Sequence, residues 1–173
     1  RRYLDLLLSQ LDRDYLEDSL NYQQAIKQRN SLLKLISDDK AKEEELEFWD
    51  GKLAEYGVRI IGKREQIIKE LAEYSVEFYK KVSGGKDELK IQYEPSISTT
   101  DVSEYMEKLF AGRKRDIVNG SSSLGPHRDD LTFLCNGHDM KSFASRGEWR
   151  SLVLTLKFTE IDLLKKKKGY YPI

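Results

Sequence analysis

The sequence predicts an α+β fold, a mainly helical arm followed by a small α/β piece, and three observations predict it. The first 94 residues contain no proline and repeat their apolar residues at helical spacing. From Leu89 the texture changes to the apolar–polar alternation of a strand. Asn136-Gly137 then separates two short apolar runs, the strongest two-residue signal for a β-hairpin. The predicted division falls near residue 88, with a helical arm at 1–88 and a second lobe at 89–173.

Within the arm, Leu4, Leu7, Leu8, Leu11, Tyr15, Leu16, Leu20, Ile26, Leu32, Leu33 and Ile36 follow one helical pattern. The acidic run from Ser37 to Glu47 reads as a turn and a new N-terminus, where carboxylates suit the helix dipole. A second pattern runs from Trp49 through Leu53, Tyr56, Ile60, Ile67, Leu71, Tyr74 and Phe78 to Val82, and Gly84-Gly85 stops it. Two long antiparallel helices, subdivided or not, result. In the second lobe, a strand from Leu89 ends at Pro95. A helix then follows Asp101, a cap with Glu104 three residues on. A Gly/Ser-rich loop, "NGSSSLGPHRDD", leads to the hairpin.

Charge is balanced, 30 basic residues against 30 acidic, so net charge selects no partner. Its distribution is uneven. Residues 1–94 hold 17 Lys/Arg and 20 Asp/Glu, and residues 95–173 hold 13 and 10, which makes the second part the better place for a phosphate-bearing ligand. Cys135 is the single cysteine; an internal disulfide is impossible, and a reducing, cytoplasmic setting is favoured. No apolar run is long enough to span a bilayer, so no membrane role is expected. The absence of an initiating methionine suggests a piece of a longer chain, and a missing leader peptide then carries little weight.

One motif is a decoy. "GVRIIGKR" at 57–64 matches the start of a P-loop, but Arg64 stands where a magnesium-binding hydroxyl is needed. Val58, Ile60 and Ile61 meanwhile continue a helical pattern.

The informative stretch is "FASRGEWRSLVLTLKFTEIDLL", residues 143–164. Ser145 and Glu148 fit a capping box. Gly147 in the first turn lets something approach the backbone closely. Behind it, Leu152, Val153, Leu154, Leu156, Phe158, Ile161, Leu163 and Leu164 surround most of the helix, which predicts a buried, rigid element. Such a helix presents free amides and a positive dipole end, so the same edge serves either as an ordinary cap or as an anion site.

This stretch resembles the signature segment of ABC-type ATPases, in the variant found in the RecF proteins of bacterial DNA repair. "RRYLD" at the start, "YQQAIKQRNSLLK" at 22–34 and "GPHRDDL" at 125–131 are similar to that family too, in its order. The resemblance covers essentially the whole chain and makes it look like the middle of a RecF protein. It implies an ATPase head that dimerises around two ATP molecules with Mg²⁺, binds DNA at gaps and junctions, and works with RecR.

Carried over residue by residue, Ser145 and the Gly147 amide match the positions that meet a γ-phosphate in trans. Glu148 matches the usual Glu/Gln, Arg146 stands where many relatives have Gln or Gly, and nothing explains Trp149. The resemblance puts a P-loop before Arg1 and the Walker B strand after the signature helix. This piece alone is therefore expected to bind no ATP or Mg²⁺ and to be inactive, since phosphoryl transfer depends on those groups.

His127 and Arg128 in the "GPHRDD" loop are candidate phosphate contacts or loop-structuring residues. Arg113, Lys114 and Arg115, and the run Lys165–Lys168, each lie near a predicted helix C-terminus. The dipole explains them there, and a DNA backbone would use them in a sequence-independent way. With only His127, His138 and Cys135 available as nitrogen or sulfur ligands, no metal site is expected. A different reading, a non-catalytic helical interaction module with an ordinary capped helix at 145–164, uses the same residues.

Overall fold

In the computed structural model, residues 2–169 are described; Arg1 and the "YYPI" end lie outside them. Helix α1 spans Arg2–Leu11 and α2 Arg13–Ser37. The first long helix is thus subdivided, because Asp12 adopts an extended conformation and its carboxylate accepts the Tyr15 amide at 3.0 Å. A 3-10 turn at Glu43–Glu45 precedes α3, Leu46–Val82. The Gly85 amide donates to the Lys80 carbonyl at 2.7 Å, with Gly84 and Gly85 at φ 73° and 82°. That is the glycine-terminated stop the sequence predicts. The P-loop-like string lies inside α3, with Ile60 and Ile61 in the core and the Arg64 guanidinium bonded to Asp5 at 2.6 Å.

Strand β1 spans Leu89–Glu94, α4 Val102–Asn119, β2 Asp130–Cys135 and β3 His138–Asp139. The sheet is antiparallel in the order β1-β2-β3, with Leu89 opposite Cys135 and Glu94 opposite Asp130. β1 stops where Pro95 has no amide to offer. Cys135 pairs with His138, so Asn136 and Gly137 form a two-residue turn, at φ 51° and 82° as a type I′ turn requires. A short α5, Met140–Phe143, leads to α6, Arg146–Lys168.

The chain forms two compact units. One contains 12–63 and 95–129; the other contains 2–11, 64–94 and the stretch from 130 onward. Each unit therefore takes chain from both sides of residue 88. The later part of α3 belongs with the strands and α6 through contacts the sequence does not advertise. The Tyr79 hydroxyl lies 3.6 Å from Cys135 Sγ, and Ser75 Oγ donates to Thr159 Oγ1 at 3.2 Å. The first unit is centred on Tyr15, Leu33, Leu53, Ile61 and Tyr105, the second on Leu4, Leu7, Tyr79, Leu89 and Leu152, all nearly inaccessible.

Helix α6 corrects one expectation. It is covered on a single stripe, Leu152, Thr155, Thr159 and Leu163, whereas Val153, Leu154 and Phe158 are 54%, 47% and 44% exposed. The physical reason is that two threonines share the buried stripe. Thr159 is bonded to Ser75, and Val153, Leu154 and Phe158 turn outward. Among the described residues no helix is long and apolar enough to cross a membrane.

Candidate functional site

The Ser145–Glu148 edge is built by a reciprocal cap. The Glu148 amide donates to Ser145 Oγ at 3.3 Å, and the Ser145 amide donates to Glu148 Oε2 at 2.7 Å. The serine side chain and backbone together hold the Glu148 carboxyl below its ordinary value. Ser145, Arg146 and Gly147 are exposed, and a Cβ on Gly147 would come no nearer than 3.8 Å to Ser145 Oγ. The cap ties down the serine and leaves the first turn open to solvent. A 23-residue helix stands behind it, its dipole directed with the positive end outward.

The "GPHRD" loop, residues 125–129, is placed in the other unit and is tied inward. His127 Nε2 lies 3.1 Å from the Ser122 carbonyl, which can only accept, so that nitrogen carries the proton. Nδ1 is 3.0 Å from the Tyr22 hydroxyl. Arg128 donates to the same carbonyl through two nitrogens at 3.2 and 3.1 Å. Gly125 sits at φ 122°, and a Cβ there would run into the hydroxyls of Tyr22 and Tyr105. Burial above all holds the Tyr22 phenol well above its usual value. The Ser96 amide donates to Asp129 at 2.9 Å and closes the loop.

The basic cluster on α4 separates. Arg113 is nearly buried, bonded to Asp50 at 2.8 Å, with its guanidinium 4.8 Å from the Phe110 ring centre. Lys114 is exposed, and Arg115, also exposed, donates to Ser123 Oγ at 2.6 Å. None of the three lies in the last turn of α4, so the dipole explanation fails for them. Lys165–Lys168 do occupy the last turn of α6. There Lys166 donates to the Tyr74 hydroxyl and Lys167 to Glu70, each at 2.9 Å.

Beneath α4 lies a charged cluster that sequence reading missed. Arg29 donates to Asp50, Asp116 and Ser122 at 2.6, 2.8 and 2.7 Å, and Asn30 accepts from the Ser122 amide at 2.8 Å. Asp50 and Asp116 keep Arg29 charged against the opposing effect of burial. The available signal was weak: Arg29 falls on the same helical face as Tyr22, Ala25 and Leu33. Among the described residues no group of three His, Cys, Asp or Glu side chains is arranged to hold a metal ion.

No protein-family model matches the chain. Over its whole length it is 40% identical to the DNA replication and repair protein RecF of Lachnoclostridium phytofermentans, covering 47% of that protein. It is 41% identical to RecF of Streptococcus suis, covering 48%. Among solved structures, that of the recombination mediator protein RecF-ATPrS in the RecFOR pathway matches with TM-score 0.92 and 34% identity. It covers 99% of this chain and 47% of that one. The corresponding RecF-ATP structure matches with TM-score 0.92 and 33% identity. The chain spans about half the length of the curated relatives it matches. Sequence and backbone agree along the entire chain: it is similar throughout to about half of the RecF DNA replication and repair proteins.

Proposed function

We propose that this chain supplies the trans half of an ATP site in a RecF-type DNA-repair ATPase. Ser145 and the Gly147 amide meet the γ-phosphate held by a partner protomer, Arg146 adds positive charge at the edge, and Glu148 keeps the serine in place. The observation that carries this reading is the reciprocal Ser145–Glu148 cap, which leaves the first turn of α6 exposed in a chain whose relatives were solved with ATP. An ordinary cap needs no exposed glycine behind it.

ATP, Mg²⁺, the phosphate-gripping lysine and the metal-holding acids belong to the full-length protein. The piece alone does not hydrolyse ATP. DNA, including gapped and junction DNA, meets the protein through backbone phosphates; Lys114 and Arg115 are disposed for such contact, whereas Arg113 is engaged by Asp50. His127 and Arg128 organise their own loop. RecR is the protein partner, ATP drives self-dimerisation, and the work is done in the cytoplasm.

The test is Ser145→Arg in the full-length protein, with dimerisation followed by sedimentation as ATP is added. The expected result is loss of the ATP-driven dimer with the fold retained. Normal dimerisation of this variant overturns the reading.

A further inference from the structure

Next to Ser145, the hairpin, α5 and the start of α6 enclose a concave site of about 310 Å³, lined by His138, Met140, Phe143, Ala144 and Glu148 among others. Phe143 ends α5, two residues before Ser145, and is 75% exposed. Its ring meets that of His138 edge-on, with centroids 6.1 Å apart and planes at 61°. Met140, 1% exposed, closes the floor.

Apart from the His138 ring, the polar side chains of this site already have partners. The Asn136 amide donates to Asp87 and accepts from the Glu88 backbone, each at 2.9 Å, and the Glu148 carboxylate is bonded to the Ser145 amide. What remains is aromatic and apolar surface with no uncommitted charge on a lysine or arginine. Such a site suits a flat, neutral heterocycle better than a second phosphate or a cation.

We propose that Phe143 and His138 form a stacking shelf for the purine base of the nucleotide whose phosphate meets Ser145. This rests on the trans-site reading and extends it from phosphate to base. Phosphate contact alone is blind to the base; a shelf makes the trans protomer sense which nucleotide its partner holds.

The experiment compares ATP with CTP in driving dimerisation of the full-length protein, measured by sedimentation. Phe143→Ala is expected to raise the ATP concentration needed about tenfold, within the range of a lost base–aromatic stack, and to narrow the difference between ATP and CTP. Phe143→Tyr is expected to restore both. Because Phe143 is exposed, the variant folds, which circular dichroism checks. If Phe143→Ala changes neither the ATP requirement nor the ATP–CTP difference while Ser145→Arg abolishes dimerisation, the shelf is refuted and the phosphate reading stands. If Ser145→Arg dimerises normally, the phosphate reading falls and the shelf with it.

Discussion

Arg29 Nε donates to Asp50 Oδ1 across 2.6 Å, with the two side chains 0% and 1% exposed. Neither partner has water to fall back on. Arg29→Ala leaves Asp116 buried without its cation and should cost about 3–5 kcal/mol. The exposed pair Arg13–Glu17 provides the contrast: Glu17→Ala should cost no more than about 0.5 kcal/mol. Urea unfolding midpoints of the two variants check both values. Equal midpoints would mean that the buried cluster holds nothing together.

Gly125 and Gly137 both have positive φ, but only one is crowded. A Cβ at Gly125 collides with two tyrosine hydroxyls, while one at Gly137 has nothing within 4 Å. Gly125→Ala should lose more than about 3 kcal/mol, and Gly137→Ala about 1 kcal/mol of turn strain alone. Thermal unfolding of the two proteins separates collision from conformation.

The cap of α6 can be removed without introducing bulk. Ser145→Ala is expected to cost about 1 kcal/mol, concentrated in the first turn. Amide hydrogen exchange at Glu148 and Trp149 should accelerate while the middle of the helix is unaffected.

The same cap is acid-sensitive. Glu148 has a folded-state pKa below its ordinary value of 4.5, because it accepts from Ser145. Its contribution is therefore fully present above pH 4.5 and is lost as the pH falls through the lower, folded value. A carboxylate titration followed by NMR should show Glu148 protonating later than an unbonded surface glutamate. The first-turn amides should lose protection in the same acid range, and Glu148→Gln should flatten the response.

What sequence reading recovered was local. Asp101, Ser145 with Glu148, Gly84-Gly85 and Asn136-Gly137 act within a few residues of themselves, so type and spacing suffice to identify them. What it missed was distant. Arg29 finds partners 21 and 87 residues away, and nothing near Arg29 announces Asp50 or Asp116. Arg113, Lys114 and Arg115 form one basic run in the sequence, yet adjacent helical residues point about 100° apart, and only Arg113 turns inward. The apolar residues of α6 give no sign of which are covered, because Thr155 and Thr159 share the buried stripe with Leu152 and Leu163 while Val153, Leu154 and Phe158 face outward. Of the site, the serine and its cap were readable. The neighbouring Phe143–His138 edge needed the hairpin to fold before the two rings met.

The alternation of segments between units has a consequence for how the chain is made. Among the described residues, the pieces of one unit are all made by Asp129, whereas the other joins α1 to α6. Leu4, Leu7 and Leu8 leave the ribosome among the first residues described, and the backbone that Tyr3 bonds, at Leu156, comes 153 residues later. At typical elongation speeds that is an interval of roughly 8–30 seconds. Through that interval the α1 residues Leu4, Leu7 and Leu8 are without α6, the helix whose backbone Tyr3 bonds in the finished fold.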